Sequence, residues 1–522
     1  MSLFAKFASV GAATSASRVL GFVREAMIAA ILGAGPVADA FYAAFRFPNL
    51  FRRLFAEGAF NAAFVPLFAK EVETNGREEA AKFAGDVVSA LLLVLLAVTV
   101  AAMAFMPFLV ATIIAPGFSD TPDKFDLTSQ LARIMFPYLA AMSVVAMMSG
   151  ILNSFRSYFI AAIAPVMLNI VMIAALTASA WWELPARETG MALAVAVVVS
   201  GVLQLSVLIF GLKKVGFAFR PRRPKMSPKV RRLLALAAPA ALTGGIVQIN
   251  IVVGQIIASQ QDNAISWLSF ADRIYQLPLG IVGIAIGVVL LPELARALSA
   301  SDMNEARSLQ NKSLEFGMGL TIPAAAALFI IPSQIVAVLY ERGAFVPETT
   351  VATASALAAF AVGLPSFVLI KILQPAFFAR EDMKTPMWFS LISLIVNAVG
   401  SLIMFVYIGH VGIALATSLA GWVNAILLAL ALNRGNDFAV EPVTWRRLAM
   451  IIMSTAIMAG FLMGYDHYTA AMFIDGGPLL RLGLLVSAVL GGGFVYLVAA
   501  IALGGIDPKL LRTALRRNRQ AP

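Results

Sequence analysis

Ten ionisable side chains fall in stretches of this chain that are otherwise apolar enough to cross a bilayer: Arg18, Arg24 and Glu25, then Asp39, Arg46, Arg52, Arg53 and Glu57, and later Asp272 and Arg273. A charge at mid-membrane costs about 2.5–3.5 kcal/mol on insertion scales, so the set implies a hydrated cavity that these residues line. At 100° per residue, Asp39, Arg46, Arg53 and Glu57 fall within about 40° of one another on one helical stripe. Arg18 and Glu25, seven residues apart, share a face in the same way. Pro48 is expected to kink the second stretch, which leaves open whether Arg52 or Arg53 turns inward. Six arginines against four carboxylates make the cavity cationic. Guanidinium groups keep their charge and grip phosphate oxygens two at a time, so the chemistry on offer is capture of an anion carrying one or more phosphates. A proton relay would draw on carboxylates or histidines, and a carrier of cations would need the opposite excess.

The elements that hold these residues must be membrane helices. Of the 522 residues 60% are hydrophobic and 13% charged, with a mean hydropathy of +0.88, against about 25% charged residues in a soluble domain. Backbone groups in hydrocarbon are satisfied only in helices or closed barrels, and barrel strands alternate apolar with polar residues. The run VVSALLLVLLAVTVAAMAF from Val87 to Phe105 does not alternate. The expected fold is all-α: a polytopic membrane protein of about fourteen helices. They are read at residues 5–32, 37–69, 83–110, 127–152, 158–180, 188–212, 232–259, 264–295, 313–332, 348–378, 387–407, 411–433, 447–465 and 480–505. The first, interrupted by Arg18 and Arg24, reads as a retained span and not as a cleavable signal.

An even number of spans puts both termini on one side. With the N-terminus cytoplasmic, 27 basic residues lie in the cytoplasmic loops and termini. Five (Lys124, Arg133, Arg187, Arg342 and Arg481) lie on the other side and 7 within spans. That bias orients both termini to the cytoplasm. It also accounts for most of the net charge of +11, so no nucleic-acid partner is called for; the basic tail from Lys509 to Arg519 suits anionic membrane lipid.

Weak internal repeats recur at a nearly constant offset: FVPLFA at 64 with LLPELA at 290, FRFPNL at 45 with YQLPLG at 275, and GMALA at 190 with GIALA at 412. They predict two six-helix lobes of one orientation, residues 1–212 and 232–433, joined by a basic linker at 213–231 and followed by two extra helices and a basic tail at 434–522. The sequence has no cysteine, which removes thiol chemistry and thiolate metal sites. Its two histidines, His410 and His467, are read in short loops. No HExxH, GxSxG or phosphate-binding loop occurs, so neither catalytic residues nor a metal or cofactor site is expected.

Several of these stretches resemble a known family. SRVLGFVRE (Ser17 to Glu25), ADAFYAAFRFPNLFRRLFAEGAFNAAFVP (Ala38 to Pro66), APGF (Ala115 to Phe118), ADRIYQLPLG (Ala271 to Gly280) and FFAREDMKTP (Phe377 to Pro386) are similar to the MurJ (MviN) lipid II flippases. These belong to the multidrug/oligosaccharidyl-lipid/polysaccharide exporter superfamily. The resemblance runs from helix 1 through helix 12 and is most specific in helices 1 and 2. It implies a bacterial inner-membrane transporter working by alternating access. Its central cationic cavity would take the pyrophosphate and sugars of lipid II, the undecaprenyl-pyrophosphoryl disaccharide-pentapeptide, with the tail in a groove formed with helices 13 and 14. The cell-wall synthesis machinery is the implied partner. Carried over by position, the resemblance singles out Arg18, Arg24, Asp39, Arg52 and Arg273. Arg46 stands where relatives have lysine, and Gln276 where some have glutamate, so an acidic partner of Arg273 is missing. Helix 7 carries no carboxylate with which to build the sodium site described in some members. The residues alone leave open a carrier of another polyprenyl-linked oligosaccharide, and a membrane-embedded glycosyltransferase or phosphatase. Such an enzyme needs acidic metal ligands or a His/Asp set near the membrane surface, which the loops lack.

Overall fold

Proline and glycine decide where the apolar runs are cut into elements. The computed structural model describes residues 3–52, 60–224, 226–300, 302–434 and 438–506; the side chains of 3–10, 12, 51–52, 60–62, 238–244, 246–247, 281, 283–289 and 291 also lie outside the description. Helix α1 (Leu3–Leu32) is followed by Gly33 at φ +63, and α2 (Pro36–Arg52) opens on a proline and continues through Pro48. Within α3 (Phe60–Ala104) the chain reverses at Gly76, whose φ of 79 and ψ of 175 suit glycine alone. The Phe64 and Phe83 rings stack with centroids 5.9 Å apart, although nineteen residues of straight helix would separate them by about 28 Å. The element therefore closes the second expected span and forms the third.

Short α4 (Met106–Leu109), a π-helical turn (Val110–Ile114) and a 3₁₀ turn (Pro116–Asp120) lead into α5 (Pro122–Met135) and α6 (Tyr138–Ser154). These two replace the single fourth helix expected from the sequence. Pro137 lies between them and has no N–H to donate to the preceding turn. Pro165 likewise parts α7 (Tyr158–Ile163) from α8 (Val166–Trp181). Then come α9 (Ala186–Lys214), α10 (Pro228–Ala258), α11 (Ala264–Ser299), α12 (Met303–Ile330), α13 (Pro332–Tyr340), α14 (Pro347–Phe378), α15 (Lys384–Ile408), α16 (His410–Arg434), α17 (Pro442–Asp475) and α18 (Pro478–Ala502). Helix α17 outruns its expected span, so His467 lies inside a helix and not in a loop. His410 is likewise helical, the buried first residue of α16, with Nε2 2.9 Å from the carbonyl oxygen of Ala352.

Ten helical segments are long and apolar enough to cross a membrane. With α1, with α2 and the first arm of α3, and with α10 and α11, they make the fourteen spans of an all-α membrane protein; no strand occurs among the described residues. Exposed Trp181, Trp182 and Tyr407 stand at the ends of α8 and α15, and exposed Trp388 and Trp445 at the starts of α15 and α17. These are the places where amphipathic rings meet the membrane surface.

The chain forms two compact units, residues 1–266 with 342–346, and residues 267–341 with 347–522. In unit 1, α1 packs on α7 and α8, α2 on α5, and α3 on α6 and α10. The seventh span thus groups with the first six, whereas the internal repeat aligns it with the first. Its attachment is local: the linker before it lies along α3, where the Arg222 amide donates to Ser89 Oγ at 2.7 Å and Lys229 pairs with Glu71 at 2.5 Å. Unit 1 also contains a close approach of backbones. The Ala344 amide donates to the Ala30 carbonyl at 2.8 Å, and Gly33 and Gly343, at φ +63 and +59, leave room for it.

Unit 2 is built on α14, which packs against α12, α13 and α16. Its C-terminal hairpin is fixed near both ends by ion pairs. Glu315 of α12 accepts from Arg447 Nη1 and Thr444 Oγ1 of α17, each at 2.7 Å, and Arg481 of α18 donates to Glu341 at 2.8 Å. Between α14 and α15, Asp382 accepts the amides of Lys384 and Thr385 at 3.1 and 3.0 Å. Hydrogen bonds from the Thr385 side chain and then these amides hold its carboxyl below the usual carboxylate range.

Candidate functional site

The intramembrane charges of unit 1 collect at two nodes. The first is on α1. Arg18 is exposed and has no ion-pair partner among the described residues. Two turns on, Arg24 is mostly buried: Nη2 donates to Glu25 Oε2 at 3.1 Å and Nη1 to Asn169 Oδ1 at 3.0 Å. Glu25 is fixed in turn, because Tyr42 of α2 donates its hydroxyl to Oε1 at 2.6 Å. Arg24 Nε is buried and without a partner among the described residues. A desolvated N–H of a charged group with no acceptor is costly in an empty site and stabilising once an anion fills it.

The second node is centred on Asp39, in the first turn of α2. Its carboxylate is fully buried and accepts four hydrogen bonds, from Lys124 Nζ at 2.8 Å, the Asn263 amide at 2.8 Å, the Ser266 amide at 2.8 Å and Ser266 Oγ at 2.6 Å. The two amides belong to the first turn of α11 and its approach, where helical N–H groups lack internal acceptors, so Asp39 caps that helix from a distance in sequence. Lys124 is buried beside it, 4.1 Å above the Phe118 ring, and reaches exposed Asp262 at 3.2 Å. Gln255 closes the same end of the unit by donating to the Ile114 carbonyl at 2.7 Å and the Ala43 carbonyl at 3.3 Å.

The remaining candidates are more scattered. Arg46 is half-buried on α2 and already engaged. Arg52 ends α2 with its side chain outside the description, and Arg53 and Glu57 lie outside the described residues. In unit 2, Arg273 is half-buried on α11, and beside it Gln276 donates to Asp272 one turn away. Among the described residues no three His, Asp or Glu side chains converge to hold a metal ion.

Sequence reasoning missed Asn169, Tyr42 and Ser266, and it placed Lys124 among loop cations. Asn169 had a signal, being a carboxamide in the apolar run VMLNIVMIAALTASAW. Lys124 had none, because its partner Asp39 is 85 residues away.

A sequence profile described as lipid II flippase MurJ matches residues 28–482. The chain belongs to the lipid II flippase MurJ family. A probable lipid II flippase MurJ of Rhizobium tropici is 50% identical over all of this chain and 98% of its own length. The lipid II flippase MurJ of Burkholderia cenocepacia is 36% identical, over 94% of this chain and 95% of its own. Among solved structures, a lipid II flippase MurJ in an inward closed conformation aligns with a TM-score of 0.78 at 25% identity, covering 94% of this chain and 97% of that one. An inward-facing multidrug resistance MATE family transporter of the MOP superfamily gives a TM-score of 0.67 at 14% identity, over 81% of this chain and 94% of that one, a likeness of fold alone.

Proposed function

We propose that this chain is a lipid II flippase: it carries the polyprenyl-pyrophosphate-linked peptidoglycan precursor across the inner membrane and makes or breaks no covalent bond. The full-length identity to members of the family supports this. On the molecule, the Arg24 node carries it. A charged side chain deep in an apolar helix, gripped from two sides and left with an unfilled buried N–H, is suited to a phosphate oxygen and poorly suited to an apolar or cationic cargo.

In this reading Arg18, Arg24, Arg46, Arg52, Arg53 and Arg273 are each assigned to pyrophosphate capture, and within unit 1 Asp39 with Lys124 fixes the surrounding helices. Both termini face the cytoplasm, as the distribution of 27 basic residues against 5 supports. The internal repeat supports alternating access as the means of movement.

The test is made in cells depleted of their own flippase, with lipid II accessibility at the outer face as readout. This chain is expected to restore accessibility, and its Arg18→Ala and Arg24→Ala variants, at equal protein level, to fail. Restoration by both variants would remove the arginines from the mechanism; no restoration by the native chain would remove the function. Reporter fusions after Gly117 and Asp475 are expected to read periplasmic, and those after Gly76 and Arg223 cytoplasmic. Opposite readings at two of these sites would reverse the orientation.

A further inference from the structure

Asn169 enters the reading above only as one of the two groups that grip Arg24, yet its surroundings give it a role of its own. It is 5% exposed on α8, among valine, methionine, leucine and isoleucine. A carboxamide in such a place is retained when both its ends are paired. Here Oδ1 accepts from Arg24 Nη1 at 3.0 Å and Nδ2 donates to the Ser17 carbonyl at 3.0 Å. Ser17 and Arg24 are two turns apart on α1. Helical side chains lean toward the N-terminus, so the guanidinium returns toward the turn that carries Ser17, and one carboxamide reaches both. The partners also settle which end is which, since a guanidinium only donates and a carbonyl only accepts.

We propose that Asn169 is the positioning residue that holds Arg24 for the pyrophosphate oxygens, and that the position requires an amide where a carboxylate would fail. The proposal rests on the reading of Arg24 as a ligand-capturing arginine. Glu25 already places one negative charge on that guanidinium. Asn169 orients it from the other side without adding a second. An aspartate of the same shape would turn a neutral Arg24–Glu25 pair into a net negative cluster facing an anionic ligand. It would also set a carboxylate oxygen against the Ser17 carbonyl, two acceptors with no hydrogen between them. A residue that merely stapled α1 to α8 would be sensitive to the loss of hydrogen bonds and insensitive to the charge of the replacement.

The experiment uses the full chain in lipid nanodiscs and proteoliposomes, with lipid II as the probe and affinity measured separately from transport rate. Asn169→Asp is expected to weaken lipid II binding about tenfold or more, and Asn169→Ala about threefold, because loss of orientation costs less than an opposing charge. Asn169→Gln, which keeps donor and acceptor on a longer arm, should regain part of what alanine loses. In an Arg24→Ala background Asn169→Ala should add no further loss, because there is no guanidinium left to orient. The proposal is overturned if Asn169→Asp binds like the native chain, if aspartate and alanine lose equal affinity, or if Asn169→Ala still weakens binding once Arg24 is gone. Should Asn169→Asp fail to reach the membrane, the alanine and glutamine variants decide, equal affinity of the two being the adverse result. Native affinity in Arg24→Ala alone would sink the reading of Arg24; an impaired Arg24→Ala beside an unimpaired Asn169→Asp would sink only the role of Asn169.

Discussion

At Arg24 a guanidinium meets one carboxylate and one amide and keeps a buried N–H without an acceptor among the described residues. At Asp39 a carboxylate meets an ammonium, two backbone amides and a hydroxyl, four donors for its two oxygens. Both nodes bury an ion within unit 1, and both join helices distant in sequence. The difference is in what is left over. A buried ion whose hydrogen-bonding capacity is filled by the protein is a joint; one with capacity to spare is poised for a ligand.

The comparison is broken most directly at Asp39. Asp39→Leu strands the Lys124 ammonium beneath the surface with only exposed Asp262 to answer it. A loss of about 3–5 kcal/mol is expected, seen as a fall in unfolding midpoint and in folded yield. Adding Lys124→Met should return most of that loss, since an apolar pair can replace a buried ion pair of similar volume. Native stability in the single variant would show that the node is no joint. Ser266→Ala removes one hydroxyl donor and leaves its amide, so the midpoint should fall by the equivalent of about 1 kcal/mol, with transport near native. Arg18→Ala should change stability by less than about 0.5 kcal/mol, because the side chain is exposed and has no ion-pair partner among the described residues, while lipid II transport falls to background. A destabilisation like that of Asp39→Leu would move Arg18 to the other class.

Much of this contrast was out of reach of the sequence, for reasons that differ by residue. The spans were legible because hydrophobic runs of about 20 residues are imposed by the bilayer itself. Arg24 and Glu25 stood out as charges in such a run. Helical phase grouped Asp39 with Arg46 on one stripe, but phase says nothing about which distant element fills a side chain's hydrogen bonds. Lys124 therefore read as a loop cation, and Asn169, uncharged, drew no notice although it touches Arg24. The breaks at Pro137 and Pro165 hid inside continuous apolar stretches, α13 was too short to register as a span, and α17 carried His467 past the end set by polarity.

The close approach of residues 33 and 343–344 bears on what genetics can recover. A β-carbon at Gly33 would lie 2.3 Å from the Ala344 carbonyl oxygen, and one at Gly343 2.2 Å from that of Ala30. In each case the obstacle is main chain, which every amino acid carries, so no second-site change can trim it away. Both positions also sit at positive φ, where a side chain is strained whatever the space. Selection for restored growth after Gly343→Ala should therefore return true revertants, or distant changes that raise expression or overall stability, and no compensating partner at residue 30 or 344.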